Sequence, residues 1–146
     1  MMDGPYSEVA QQLSRHGIQL TPQRLAIAKL LFACPQHLSA DQVLQGVQSS
    51  DASLSKATVY NTLRLFVEKK LLREVIVDPS RVFYDSNMAP HHHLYDTVTG
   101  ELTDICASSI RVSGLPALPP GVVAEGIDIV VRTRPEGAVS LCHPQV

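Results

Sequence analysis

Several features are missing from this 146-residue chain, and each absence narrows what it does. There is no Cys-x-x-Cys pair: Cys34, Cys106 and Cys142 lie far apart. An odd, scattered set of thiols points to a reducing compartment rather than a disulfide framework. No apolar run approaches the roughly 20 residues that cross a bilayer. The opening, MMDGPYSEVAQQL, has no basic stretch followed by an apolar one, so no secretory signal, no membrane partner and a cytoplasmic location are expected. No Ser/His/Asp or Cys/His nucleophile set, phosphate loop or dinucleotide fingerprint occurs, which argues against an enzyme. Strong charge of one sign is missing too: the net charge is −2. Residues 1–90 carry nine Lys/Arg and eight Asp/Glu, against three and six afterwards. A nucleic-acid reader built this way must rely on local geometry more than on bulk field.

What is present is a run of helix signals, then a run of strand signals. Ser7 can cap a first helix that Gly17 ends. Thr21-Pro22 is a cap followed by proline at the first helical position, ahead of QRLAIAKLLFA. Ser39-x-x-Gln42 is a capping box for a third helix. Ser55 caps a fourth, KATVYNTLRLFVEKK, in which Val59, Leu63, Phe66 and Val67 recur at helical spacing as the core stripe. LLREVIV and RVFYD follow as two strands joined by Asp78-Pro79-Ser80. That order suits a winged helix-turn-helix over residues 1–88; the plainer alternative is a helical bundle with a β appendage. Beyond it, HHHLYD and ELTDI read as strands around TVTG. SSIRVSGLPALPPG is too rich in Gly and Pro for a long helix, and VAEGIDIVVRT reads as a last strand before a loose tail. Residues 89–146 are too few to bury much core alone, so pairing with a second copy is the natural remedy. The expected class is α+β: a winged helix followed by a small α/β dimerisation domain over residues 89–146.

Two constellations carry chemistry. On the fourth helix, Lys56, Thr58, Tyr60, Asn61 and Arg64 lie largely off the core stripe. Arg64 can pair with a guanine or hold a phosphate, Tyr60 can pack on a thymine methyl, and Lys56 and Thr58 suit phosphates. Arg81 at the wing tip and Arg15 on the first helix can reach adjacent backbone. For any one of these, a solvated surface residue is the bland alternative. The second constellation starts with His91, His92 and His93. Strand alternation puts His91 and His93 on one face and His92 on the other. Asp85, Asp104 and His37 are the nearest further candidates. Histidine with carboxylate suits Fe(II), Mn(II) or Zn(II), and without cysteine ligands a structural zinc is not expected.

LTPQRLAIAKLL, HLSADQVL, SLSKATVYNTLRLF, FYDSN, HHHLYD and TGELTDI together resemble the ferric uptake regulator family, over roughly residues 10–135. The resemblance implies a homodimer on palindromic double-stranded DNA, with one regulatory metal per subunit in a hinge between domains. It implies His37, Asp85, His91, His93 and Asp104 as ligands; a one-residue shift would put Tyr84 in place of Asp85. The family's Cys-x-x-Cys zinc site would start at Asp96 and Thr99, so no structural zinc held by four cysteines is expected. A further metal site would fall on Pro90, His92, Arg111 and Ile127, of which only His92 can ligate.

Within the family, FYDSN…HHH, the cysteine-free GELTDI and LPPGVVAEGIDIVVRTR are most similar to the iron response regulators. That branch implies control of iron and haem metabolism, with haem on the histidine tract His91, His92 and His93. Cys34-Pro35 has the form of a haem-regulatory dipeptide; a cysteine buried at a helix end is the alternative. The rival branch is the peroxide-sensing repressors, where oxidation of His37 or His91 would release DNA. Outside the family, two histidines and a carboxylate can form the facial triad of an Fe(II) oxygenase, though a short chain has no large barrel to enclose a substrate. A metal or haem storage module that keeps a winged helix is the other rival.

Overall fold

The computed structural model describes residues 5–34 and 36–137. The chain divides into two compact units, residues 1–88 and 89–146. Cys142 and most of the expected tail lie outside the described residues.

The first unit is helical, with a small sheet. Helix α1 spans Pro5–Arg15, so it begins ahead of Ser7, which lies inside it rather than at its cap position. Gly17 ends it with a φ of 72°, a conformation a side chain would resist. Helix α2, Pro22–Phe32, is capped by the Thr21 hydroxyl, which accepts the Arg24 N–H at 3.2 Å. Cys34, just past its end, is exposed and does not belong to the core. Helix α3, Ala40–Gln48, carries the full capping box between Ser39 and Gln42. It passes close to α2 because residue 46 is glycine: a Cβ there would meet Leu30 Cδ2 at 2.6 Å. Helix α4, Lys56–Glu68, is capped by Ser55 and buries Val59, Thr62, Leu63 and Phe66. Val67 is only half buried, at the margin of the core.

Three strands complete this unit: β1 (His37–Ser39), β2 (Arg73–Asp78) and β3 (Arg81–Asp85), in the antiparallel order β1-β3-β2. The sequence pattern does not reveal β1; three residues are too few for alternation to show. On one face of the sheet Tyr84 and Val82 join the helical core around Leu13, Ile27, Leu63 and Phe66. On the other face, Val75, Val77, Phe83 and Asp85 are buried as well. Helices on one side of a small sheet whose β2–β3 hairpin forms the wing give a winged helix-turn-helix.

The second unit is a three-stranded sheet, β5-β4-β6, formed by β4 (His91–Asp96), β5 (Leu102–Cys106) and β6 (Val130–Thr133). Strands β4 and β5 are an antiparallel hairpin, whereas β6 returns parallel to β4. The last strand is shorter than VAEGIDIVVRT suggests: its register with β4 begins at Val130, with the Ile129 carbonyl accepting the His93 N–H just ahead of it. A short 3-10 turn, Ala107–Ser109, is the one helical element among the described residues here. The core is thin: among the described residues, Tyr95 and Leu102 are its buried apolar ones, while Leu115, Val122 and Val123 are exposed.

Candidate metal centre and nucleic-acid interface

The β1–β3 register sets His37 directly opposite Asp85. The same register points Tyr84 into the helical core, one face away from Asp85. His37 Nε2 lies 3.3 Å from Asp85 Oδ2. The other carboxylate oxygen, Oδ1, accepts the Asn87 N–H at 2.9 Å. Asp85 is 2% exposed. A carboxylate that deep is costly unless paired, and here one oxygen is held by backbone and the other faces an imidazole.

In the second unit, β4 alternation puts His91, His93 and Tyr95 on the buried face. The β4–β5 register brings Asp104 opposite His93. Asp104 Oδ1 lies 3.5 Å from His91 Nε2 and 3.4 Å from His93 Nε2. The two imidazole rings are edge to face, with centroids 4.6 Å apart. His91 Nδ1 is 2.6 Å from the Ala89 carbonyl oxygen. A carbonyl only accepts, so Nδ1 carries the proton, and in the neutral ring Nε2 is left with its lone pair toward Asp104. Fixing the tautomer through the far nitrogen is the way metal-binding histidines are oriented. His93 is 1% exposed, and a core this small gains nothing apolar from two buried imidazoles. Their convergence on a carboxylate suits a cation.

His92 stands on the opposite face. Its Nδ1 accepts the Ile129 N–H at 3.2 Å, which ties the approach to β6 onto β4. That nitrogen therefore has a structural task, and His92 does not join His91 and His93, although the sequence makes it a haem candidate beside them. Cys34, the other haem candidate, belongs to the first unit. Cys106, which sequence reasoning passes over, lies opposite His91 in the register and is exposed. Its sulfur is 3.0 Å from the Ser108 hydroxyl, and that hydrogen bond lowers the thiol pKa from its usual value.

The candidate DNA-reading residues differ in exposure. Lys56, Tyr60, Asn61 and Arg64 are exposed, and Thr58 is half buried. The Lys56 ammonium lies 5.6 Å from the centre of the Tyr60 ring, a cation–π contact that steadies both. At about 100° per residue, Lys56, Tyr60 and Arg64 form one stripe along α4. Thr58, Asn61 and Leu65 form another, about 130° round the helix. The set expected from sequence is thus two flanks rather than one. Arg15 is exposed on α1, its guanidinium 3.5 Å from Gln11 Oε1. Arg81 opens β3 beside the wing turn, where the Asp78 carboxylate accepts from the Ser80 hydroxyl and N–H and stays below the usual carboxylate range for that reason first. Tyr84, under this surface, has its phenol pushed up, mostly by burial and then by the Glu74 charge.

A family model described as the ferric uptake regulator family matches residues 15–115. The peroxide-responsive repressor PerR of Staphylococcus epidermidis is 30% identical over 103 residues, which is 70% of this chain and 69% of that one. PerR of Staphylococcus aureus is 32% identical over 97 residues, 66% of each. Among solved structures, the ferric uptake regulator of Pseudomonas aeruginosa with manganese superposes with a TM-score of 0.67 at 20% identity, covering 87% of this chain and 97% of the other. A zinc-bound manganese uptake regulator gives 0.65 at 20% identity, covering 87% and 98%.

Proposed function

The chain belongs to the ferric uptake regulator family, and from that premise we propose that it is a homodimeric, DNA-binding transcriptional repressor of the cytoplasm whose grip on DNA depends on one divalent metal ion per subunit. The observation that carries this reading is the pair of half-sites. The first unit offers His37 and Asp85; the second offers His91, His93 and Asp104. Each has imidazole nitrogens and a carboxylate oxygen facing one another. In the proposed arrangement both hold the same ion, and the residues between Asp85 and His91 are the hinge that the ion fixes. Three nitrogens and two oxygens without thiolate suit Fe(II) or Mn(II), with Zn(II) able to take the same place.

The second unit supplies the reason for a dimer. Strands β5 and β6 are both edges, and leucines and valines around them face solvent. Pairing with a second copy covers what this sheet cannot bury alone. Among the described residues no helix is long and apolar enough to cross a membrane. Family membership supports a regulator rather than an oxygenase or a storage module.

For the signal, we read peroxide as the better supported, because the curated relatives at 30–32% identity are peroxide-responsive repressors. Bound iron would supply the redox chemistry for that response; this chain's part is to hold His37 and His91 beside it and to transmit their loss through the hinge. The iron or haem reading keeps the sequence features that suggested it, above all the cysteine-free GELTDI. One experiment separates the two. Binding of a promoter fragment is compared at fixed salt for metal-free, Mn(II), Fe(II), Fe(II)-plus-peroxide and haem-loaded protein. Loss of binding only when Fe(II) meets peroxide supports the first reading. Loss only with haem replaces it with the second. Equal binding in all five states removes metal from the mechanism.

A further inference from the structure

The segment that joins Asp85 to His91 is bonded to a proposed ligand at each end. The Asn87 N–H donates to Asp85 Oδ1 at 2.9 Å. The Ala89 carbonyl accepts from His91 Nδ1 at 2.6 Å. The first bond leaves Asp85 Oδ2 turned to His37, and the second leaves His91 Nε2 turned to Asp104. Residues 87 and 89 thus aim one ligand in each unit, and outer partners of this kind carry roughly 10–100-fold in metal affinity.

Met88 is the residue between these two bonds. It is 47% exposed and belongs to no helix or strand. It is the one methionine among the described residues; Met1 and Met2 lie outside them. An exposed thioether is open to a hydroperoxide. The sulfur lone pair forms an S–O bond as the O–O bond breaks, and the departing hydroxide takes the proton of the transferred oxygen and leaves as water. The sulfur is oxidised by two electrons and the peroxide reduced by two, so the step needs no other reactant. The product carries a polar acceptor oxygen where there was an apolar sulfur.

We propose that Met88 is a modification site, converted by peroxide to the sulfoxide, and that this change lowers the affinity of the chain for its regulatory metal. The new oxygen stands one residue from the Asn87 N–H and competes for it with the Asp85 carboxylate, which then loses the bond that orients it. The proposal rests on reading Asp85 and His91 as ligands. It does not rest on the oxidation of any histidine. Because reductases return methionine sulfoxide to methionine, the change is reversible.

The test uses the full chain, stripped of metal so that no bound iron can oxidise a histidine. It is treated with hydrogen peroxide, then with dithiothreitol to return reversibly oxidised cysteines to thiols, and both reagents are removed. Peptide mass spectrometry should find one added oxygen on Met88. The oxidised chain should bind Mn(II) about 10-fold more weakly by calorimetry, and its Asn87 amide should exchange faster even without metal. Treatment with the two methionine sulfoxide reductases, one for each epimer, should reverse both changes. Met88→Leu, a swap of similar volume, should bind Mn(II) as the untreated wild type does and keep that affinity after peroxide. A Met88 that stays reduced while Met2 is oxidised would overturn the proposal. So would a sulfoxide that leaves Mn(II) affinity and Asn87 exchange unchanged, or an equal loss of affinity in Met88→Leu, which assigns the effect to another residue. If the untreated wild type does not bind Mn(II), the metal reading falls first and the role of Met88 with it.

Discussion

His93 lies directly opposite Asp104 across the β4–β5 ladder, its Nε2 3.4 Å from the carboxylate oxygen that also faces His91. Asp104 is far more exposed than the histidines, so it is the proposed ligand that can be altered with the least damage to packing. Asp104→Asn should leave the stability of metal-free protein within about 0.5 kcal/mol of wild type. Mn(II) affinity by calorimetry should fall by at least the roughly 10–100-fold that even outer partners of a site carry. Equal affinity would remove Asp104 from the site.

His92, one residue away, should behave in the opposite manner. His92→Ala deletes the acceptor for the Ile129 N–H and should loosen the β6 side of the sheet by about 1 kcal/mol. Hydrogen exchange at Ile129 would accelerate while Mn(II) affinity stays the same. A parallel loss of metal binding would show that His92 is a ligand after all.

Arg64 is exposed on the outer stripe of α4 with Tyr60. Arg64→Ala should weaken binding to a specific duplex by about 1–3 kcal/mol if it reads a base, with binding to random duplex reduced much less. A uniform loss on both would make it a phosphate contact.

The turn of the β4–β5 hairpin gives a pH dependence with a definite sign. The Asp96 carboxylate accepts the Thr99 and Val98 N–H groups at 3.0 and 2.8 Å, and these bonds lower its pKa. A group whose folded pKa is depressed stabilises the fold above its unfolded value, near 3.8, and loses that contribution as pH falls through the lower folded value. Amide exchange at Val98, corrected for its intrinsic pH dependence, should therefore show protection that is constant near neutrality and lost in acid. Asp96→Asn should abolish that transition.

Cys106 should alkylate faster than Cys34, because its hydrogen bond to Ser108 favours the thiolate. Ser108→Ala should slow iodoacetamide labelling at Cys106, followed by peptide mass spectrometry, and leave Cys34 unchanged.

Much of this architecture was legible because local chemistry announces it. Thr21-Pro22, the Ser39–Gln42 box and Ser55 marked three helix starts, and hydroxyl-to-backbone bonds do form at each. Alternation alone paired His91 with His93 and set His92 apart. What was hidden depends on contacts between segments far apart in the chain. Strand β1 exists because β3 offers it a partner, so nothing in His37–Ser39 alone could reveal it. The choice between Tyr84 and Asp85 is a question of register, which alternation cannot settle where both faces of a strand are buried.

The parallel pairing of β6 with β4 has a consequence for how the protein is made. Parallel neighbours need a long crossover, and here residues 107–129 intervene between β5 and β6. A lone two-stranded hairpin is marginal in water, so the second unit stays incomplete until Thr133 has left the ribosome. The helices of the first unit, built from near-neighbour contacts, can close well before that. Each newly made chain would then pass through an interval with a closed helical unit and an unfinished sheet.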